Sequence, residues 1–247
     1  MNSIATAPLQ TVVFADLESE LWGVAWGSPA GALGLGQLTG GSSTTGAAVS
    51  FGGSAADNAW ELAADVGSLR VMPLTEPVSS ERLDGFDQLC EVQGTVIDGG
   101  EQAVRAVGIR ALRGGIDPAA LDSLRDACAW FAPDDGLALT ALRPSGARGH
   151  EQDLVVGSLF EPSGVTTVAD PRLSTTYAAD GLPARAGLEL WIETDDEAAE
   201  YPRRAAGETI GAQIALSADG FDLHAYAMRW LSRGRDGIGA YVLAQPR

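Results

Sequence analysis

The stretch FDLHAYAMRWLS, residues 221–232, decides the fold class because its side chains alternate with a period of two. In an extended strand, one face carries Asp222, His224, Tyr226, Met228 and Trp230. The other face carries Phe221, Leu223, Ala225, Ala227 and Arg229. The stretch therefore predicts a β-strand with two different faces, one of polar groups and large rings and one mainly aliphatic.

Four more stretches alternate in the same way and are bounded by turn residues. They cover residues 136–144, 153–162, 186–194 and 211–220, with turn pairs such as Asp135-Gly136 and Asp219-Gly220 at their ends. Residues 14–26 fit one further strand, bent at Gly23, with Phe14, Trp22 and Trp26 on one face. Short strands separated by turns predict an all-β fold of antiparallel barrels or sandwiches.

The chain also contains a faint internal echo, at an offset of 119 residues. Ala106, Arg110 and Leu112 align with Ala225, Arg229 and Leu231. Between the two strings, residues 117–130 predict a short helix, since Asp117 is a good N-cap and Pro118 suits the first helical position. We predict two tandem halves, 1–116 and 117–247, joined by a short helix or turn, although a chance match between two arginine-ended strands would explain the echo equally well.

Charge and composition exclude several classes of function. The formal net charge is −17, which opposes binding to nucleic acid or to an anionic membrane surface. All 16 basic residues are arginine, so no lysine is present to form a Schiff base or to complete a phosphate-binding loop. Two isolated cysteines and two histidines offer no local zinc-ligand spacing. We predict no cofactor, no metal and, without an export signal at the N-terminus, a cytoplasmic location.

Three strings resemble a known family. GIRALRGG at 108–115, AWFAPDDGLALTALRPSG at 129–146 and AMRWLSRGRDGIGAYVL at 227–243 resemble, together with the two-half plan, the tandem lipocalin-like proteins of the AttH and carotenoid 1,2-hydratase type. The resemblance implies two packed barrel-like halves that hold a hydrophobic ligand, and the hydratase members add water to a terpenoid double bond. The family's Arg-Asp-x-x-Trp-Gly string is not conserved in register here, so no catalytic residue is carried over.

Candidate catalytic residues come from the strands and loops themselves. Glu189 beside Trp191 in a dry pocket would have a raised pKa and act as an acid. His150 and Asp153, three residues apart before a strand, form a candidate acid–base pair, and His224 offers a second imidazole. For each of them, a solvated surface position is the alternative.

Candidate substrate-binding residues are mainly aromatic or arginine side chains. They are Trp26, Arg172, Tyr177, Trp191, Tyr226, Arg229 and Trp230. Arg172 and Tyr177 lie in a segment rich in hydrogen-bonding side chains that would fold over a barrel mouth. The aromatic face at residues 224–230 would line a cavity or, alternatively, pack where the halves dock.

Carboxylic acids, imidazoles and aromatic rings together suit proton transfer to an apolar skeleton. We predict an acid–base lyase or isomerase, that is a hydratase, dehydratase or cyclase, acting on a terpenoid, polyene or polyketide-like molecule. Two alternatives stay open: a non-catalytic protein that binds hydrophobic small molecules, and a pericyclic cyclase whose pocket only folds its substrate.

Overall fold

The structure, a computed structural model, describes residues 8–40, 43–44, 48–97, 100–192 and 202–247. Within these ranges the chain is almost entirely β-strand, and none of the described residues forms an α-helix. The described part of the chain therefore contains no helix with the length and hydrophobicity to cross a membrane. The predicted all-β class is confirmed.

The first ten strands form one sheet that closes on itself. They are β1 (Leu9–Asp16), β2 (Leu21–Gly27), β3 (Ala30–Gln37), β4 (Ser43–Thr44), β5 (Ala48–Gly52), β6 (Trp60–Ala64), β7 (Gly67–Pro73), β8 (Val78–Ser80), β9 (Gly85–Ile97) and β10 (Glu101–Arg113). Eight of them follow each other around the sheet in the order β1, β2, β3, β5, β6, β7, β9 and β10, and β10 pairs with both β9 and β1. This double pairing closes an antiparallel barrel.

The second sheet contains nine strands. They are β11 (Leu121–Ala132), β12 (Asp135–Pro144), β13 (Leu154–Glu161), β14 (Gly164–Thr167), β15 (Asp170–Tyr177), β16 (Pro183–Trp191), β17 (Arg203–Ala218), β18 (Phe221–Ser232) and β19 (Arg235–Pro246). The first strand, β11, pairs with the last, β19. Its edge strands β14 and β15 are joined by only two residues, and the Val168 amide in this connection donates to the Gly157 carbonyl of β13 at 3.0 Å, which extends the β13–β14 pairing. β15 then lies against β12 and β13, on the side away from its paired neighbour β16. The sheet thus curls into a second barrel.

The predicted helix at 117–130 is wrong. Only Pro118–Ala120 form a single 3₁₀ turn, which Asp117 caps by accepting from the Ala119 amide at 3.0 Å. From Leu121 onward the chain is strand β11, since its alternating residues pack into two different cores and both of its edges pair with neighbouring strands. The short turn nevertheless joins the two barrels, as the linker was predicted to do.

The predicted single strand at 14–26 is also wrong. A tight turn at 17–20 separates β1 from β2, with Glu20 at a φ of 55°, so the chain reverses there and does not bend at Gly23. Phe14 therefore lies opposite Gly23, where a Cβ atom would come within 2.4 Å of the Phe14 ring. Phe14 points into the first barrel, whereas Trp22 and Trp26 point out of it.

The internal echo aligned strands that are not equivalent. β10 is the strand that pairs with the first strand of its barrel, and its counterpart in the second barrel is β19, not β18. Arg110 is accordingly buried inside the first barrel, while Arg229 is exposed. The change from one sheet to the other falls between Arg113 and Leu121. The division into two domains at 116/117 stays a prediction.

Three apolar cores hold the chain together. One fills the first barrel, one fills the second, and the third lies between them. β18 illustrates the division, because Tyr226, Met228 and Trp230 enter the second barrel while Leu223 and Ala225 pack toward the first. The predicted two faces of this strand are confirmed, and the aliphatic face is the one at which the halves dock.

Close approach of β3 to β17 gives a stability prediction. A Cβ atom on Gly34 would lie 2.2 Å from Cγ2 of Ile214, whose branched side chain is fully buried. We expect Gly34→Ala to lower the free energy of unfolding by about 1–3 kcal/mol through overpacking. Urea unfolding would measure this, with Gly100→Ala as the control because no atom of the described residues lies within 4 Å of its Cβ position. Equal stabilities of the two variants would contradict this tight packing.

Candidate functional site

A cleft of about 600 Å³ opens between the two barrels. Its walls are mostly apolar and come from both halves of the chain. The first barrel contributes Ala15, Asp16, Leu17, Glu18, Glu20, Leu38, Thr39, Arg105 and Val107. The second contributes Trp130, Phe131, Ala132, Pro133, Ile210, Arg229, Asp236, Gly237 and Ile238. This size and composition are typical of sites for small organic molecules.

The turn between β1 and β2 forms one wall of the cleft, and Asp16 fixes its shape. One carboxylate oxygen of Asp16 accepts from the backbone amides of Glu18 and Ser19 at 3.1 and 3.3 Å, and the other accepts from the Arg105 amide at 3.1 Å. Burial by itself would raise the pKa of Asp16, but these hydrogen bonds outweigh it and lower the pKa. Asp16 is therefore a structural carboxylate and not a proton donor at neutral pH.

The second barrel supplies the aromatic wall and one cation. Trp130 and Phe131 lie at the end of β11, and Ile210 lies at an irregularity of β17. Arg229 projects from β18 on the side away from the barrel interior and forms no ion pair with any described residue. It can therefore donate hydrogen bonds to an oxygen atom of a molecule in the cleft.

The charge around the cleft is negative overall. Among the described residues, four acidic ones and two arginines line it: Asp16, Glu18, Glu20, Asp236, Arg105 and Arg229. Of the two arginines, Arg105 already contacts Glu91 at 3.4 Å. Such a lining disfavours an anionic ligand.

A buried arginine closes one end of each barrel. In the first barrel, Arg110 donates to Gln88 at 2.9 Å and to the Asn58 carbonyl at 2.7 Å, and its guanidinium lies 4.8 Å from the Trp60 ring centroid. In the second barrel, Arg203 pairs with Asp135 at 3.1 Å and donates to Ser232 at 2.8 Å. At both ends, the buried guanidinium group is held by hydrogen bonds to neighbouring residues.

The other end of the second barrel is lined by polar side chains that point inward. This barrel mouth comprises Arg125, Asp153, Thr175, Tyr177, Tyr226 and Tyr241. Arg125 Nη2 donates to Oδ2 of Asp153, which also lies 3.2 Å from Nδ1 of His150. His150 is 74 % exposed while the Asp153 side chain is only 2 % exposed. The predicted pairing of His150 with Asp153 thus exists, with Arg125 as a third member.

Three tyrosines complete the barrel mouth. Tyr226 and Tyr241 lie opposite each other on β18 and β19, and Thr175 donates to the Tyr241 hydroxyl at 3.4 Å. Burial raises the pKa of both phenols, so both stay protonated at neutral pH. Tyr177, at the end of β15, is half exposed.

A buried polar network spans the contact between the barrels. Arg113 of the first barrel pairs with Asp87 and donates to Thr140 of the second barrel at 2.9 Å. Ser158 donates to Asp87 at 2.6 Å, and Thr140 donates to Asp126 at 2.5 Å. Burial raises the pKa of Asp126 to about 6, against the opposing effect of Arg113.

The structure does not place Glu189 in a dry pocket, as the sequence had suggested. Glu189 lies on the outer face of β16, where its carboxylate accepts from Arg204 Nε at 2.9 Å. Arg172, on the neighbouring strand, pairs with Asp170 at 2.6 Å and lies 5.9 Å from the Trp191 ring centroid. These residues form a surface groove and not a barrel interior, because their neighbours Leu188 and Leu190 are the ones that point inward.

The remaining predicted residues lie in different places. Trp26 is buried between the barrels with its ring edge-on to Phe221 at 6.0 Å, and Trp230 is buried inside the second barrel. His224 is half-buried and contacts Gln213 at 2.6 Å. Arg229 alone among the predicted residues lines the cleft.

Sequence reasoning missed Arg125, Tyr241 and the cleft wall at Trp130 and Phe131 as functional candidates. An incorrect helix assignment concealed Arg125, since the strand alternation of residues 125, 127 and 129 would have shown one arginine on a face of alanines. The cleft itself depends on how the barrels dock. No pattern local to one strand could have indicated it.

Comparisons with known proteins show the fold. No family model and no curated protein sequence matches the chain. The crystal structure of CghA is similar, with a TM-score of 0.65 and 11 % identity over 98 % of this chain and 88 % of that one. NE1406 of Nitrosomonas europaea, provisionally assigned as AttH, is similar with a TM-score of 0.55 and 12 % identity over 96 % and 92 % of the two chains. At this identity the likeness supports the predicted tandem lipocalin-like scaffold and nothing finer.

Proposed function

We propose that the cleft between the barrels binds a largely apolar, uncharged organic molecule of terpenoid, polyene or polyketide type and holds it in the shape from which it cyclises. The observation that carries this proposal is the lining of the cleft, which joins apolar side chains from both halves around about 600 Å³. Arg229 supplies one positive group that orients an oxygen of the ligand.

An acid–base mechanism has weaker support in this cleft. A hydratase or dehydratase needs a proton donor that contacts the bound molecule. Asp16 is kept ionised by three backbone hydrogen bonds, and Asp126, whose raised pKa would suit an acid, lies in the network between the barrels and not in the cleft wall. Glu18, Glu20 and Asp236 also line the cleft, but all three are exposed. We therefore favour a reaction that needs no proton donor inside the cleft.

A concerted ring closure meets this requirement, because bonds form and break within one molecule and no proton leaves or enters. The contribution of the protein is then to hold the two reacting ends close together. In the most favourable intramolecular cases such positioning lowers a barrier by about 7–11 kcal/mol. The rigid walls at Trp130, Phe131 and the Asp16 turn are suited to this role.

Carriage of the same molecule without reaction is the second candidate. Leu17 at the rim is 66 % exposed, so an apolar ligand would meet an apolar entrance. Both candidates require the cleft to be the binding site, and they differ in what happens to the ligand afterwards.

Filling the cleft should weaken binding. We expect Val107→Trp and Ile210→Trp, which enlarge opposite walls, each to weaken binding of the uncharged dye Nile red at least tenfold, or about 1.4 kcal/mol. Fluorescence titration measures the affinity, and Leu74→Trp is the control because Leu74 is exposed outside the cleft. Unchanged affinity in both cleft variants would show that the dye, and with it the proposed ligand, binds elsewhere.

Mass spectrometry of co-purified small molecules then separates the reactions. A gain or loss of one water supports the acid–base lyase. An isomer of the same mass supports concerted cyclisation if it takes up no deuterium when the conversion is run in D₂O, and an acid–base isomerase if it does. A ligand recovered unchanged supports carriage.

A further inference from the structure

The barrel mouth lies at the opposite end of the second barrel from the cleft. Arg125 is near the start of β11, whereas Trp130 and Phe131 near its end line the cleft. The mouth is therefore a separate place, and a ligand there would not depend on the function proposed for the cleft.

Arg125 and Asp153 are joined by a single hydrogen bond. A guanidinium usually faces a carboxylate with two parallel hydrogen bonds, one from each of two nitrogens. Here Nη2 of Arg125 donates to Oδ2 of Asp153, while Nε of Arg125 and Oδ1 of Asp153 are buried and have no partner among the described residues. The two side chains are only 10 % and 2 % exposed.

An unpartnered buried donor or acceptor costs about 1–3 kcal/mol, and more when the group is charged. The two atoms belong to side chains that already contact each other, and Tyr177 at the same end of the barrel is 49 % exposed. We propose that Arg125 and Asp153 in the barrel mouth bind a neutral group that carries a hydrogen-bond donor beside an acceptor, such as an amide or a pair of hydroxyls.

Hydrogen-bond complementarity selects the neutral class. A carboxylate can accept from Nε of Arg125 but offers no donor to Oδ1 of Asp153, and an amidinium can donate to Oδ1 but offers no acceptor to Nε, so each ion leaves one of the two atoms unsatisfied. An amide satisfies both atoms at once, because its N–H donates to Oδ1 and its carbonyl accepts from Nε. Hydroxyl groups satisfy them equally well, since each hydroxyl both donates and accepts.

The tyrosines make the mouth a suitable place for such a ligand. Tyr226 and Tyr241 present protonated phenols on the same inward face, and Tyr177 is half exposed. Their rings offer apolar surface and their hydroxyls offer further hydrogen bonds. The ligand would therefore combine a polar head at Arg125 and Asp153 with a body that packs against aromatic rings.

A charge series of nearly identical shape tests the proposal on the unaltered protein. Acetamide is neutral, acetate is anionic and acetamidinium is cationic. We expect acetamide to shift the ¹⁵N resonance of Arg125 Nε and the ring resonances of His150 saturably, with a dissociation constant in the millimolar range, and the two ions to cause no saturable shift. Ethylene glycol distinguishes a preference for hydroxyls from one for amides.

Arg125→Lys assigns the Nε resonance and removes this donor while keeping a cation beside Asp153. We expect it to weaken acetamide binding at least tenfold, as followed by the tyrosine ring resonances, whereas Arg172→Lys on the outer face has no effect. Saturable shifts from acetate equal to those from acetamide, or no saturable shift from either neutral probe, would overturn the proposal. The latter result would mean that only water fills the space.

Discussion

Replacing Arg113 with methionine is expected to lower the free energy of unfolding by about 3–5 kcal/mol. Arg113 is buried at the contact between the barrels, where it pairs with Asp87 and donates to Thr140. Methionine keeps much of the volume but leaves the Asp87 carboxylate buried without its cation, which is the most costly way to break such a pair. Urea unfolding at neutral pH measures the loss.

Two further variants identify the cause of this loss. Arg70→Met removes an exposed pair with Glu61 at 3.5 Å, in which both side chains are about 60 % exposed, and should cost less than about 1 kcal/mol. Adding Asp87→Asn to Arg113→Met removes the stranded charge and should recover part of the stability. A double variant no more stable than Arg113→Met would mean that lost packing, and not an unpaired charge, explains the effect.

The second large effect is a dependence of stability on pH that originates at Asp126. Burial raises the pKa of Asp126 to about 6, Asp87 adds to the rise, and Arg113 and Thr140 oppose it. Because the pKa in the folded state lies above the ordinary value of 3.8, the folded protein binds more protons than the unfolded chain between about pH 4 and 6. The contribution of Asp126 to stability is therefore fully present below pH 4 and is lost as the pH rises toward and through 6.

Asp126→Asn should remove this dependence. Over the same pH interval, the wild-type protein should lose up to about 3 kcal/mol relative to the variant, since each unit of pKa shift corresponds to about 1.4 kcal/mol. Unfolding free energies at pH 4.5, 6.0 and 7.5 measure the difference, and the other carboxylates cancel because both proteins share them. Parallel pH profiles would show that Asp126 is already ionised in the folded protein.

The fold class followed from the sequence because strand alternation is a local property. Residues 221–232 were predicted as one strand and form one, and their two faces enter two different cores. The errors came from places where local patterns compete. Asp117 and Pro118 do begin a helical turn, but pairing of residues 121–132 with strands on both sides outweighs helical propensity.

The candidate site was far less predictable. His150 and Asp153 were paired correctly because they are three residues apart, whereas Arg125 joins them from a distant strand. Glu189 and Trp191 stand on one face as predicted, but only the closed sheet decides that this face is the outside. The cleft and the network at Arg113 depend on residues from both barrels, and no single stretch of sequence contains them.

Pairing of each barrel's first strand with its last sets the order in which a growing chain can fold. Paired residues of β1 and β10 are about 90–105 positions apart in the chain, and those of β11 and β19 about 110–120. Such distant partners make closure a late and slow event. On the ribosome, the first barrel can close while much of the second is still being synthesised. Trp22 and Trp26, which point out of the first barrel, then form part of the surface against which the second barrel packs.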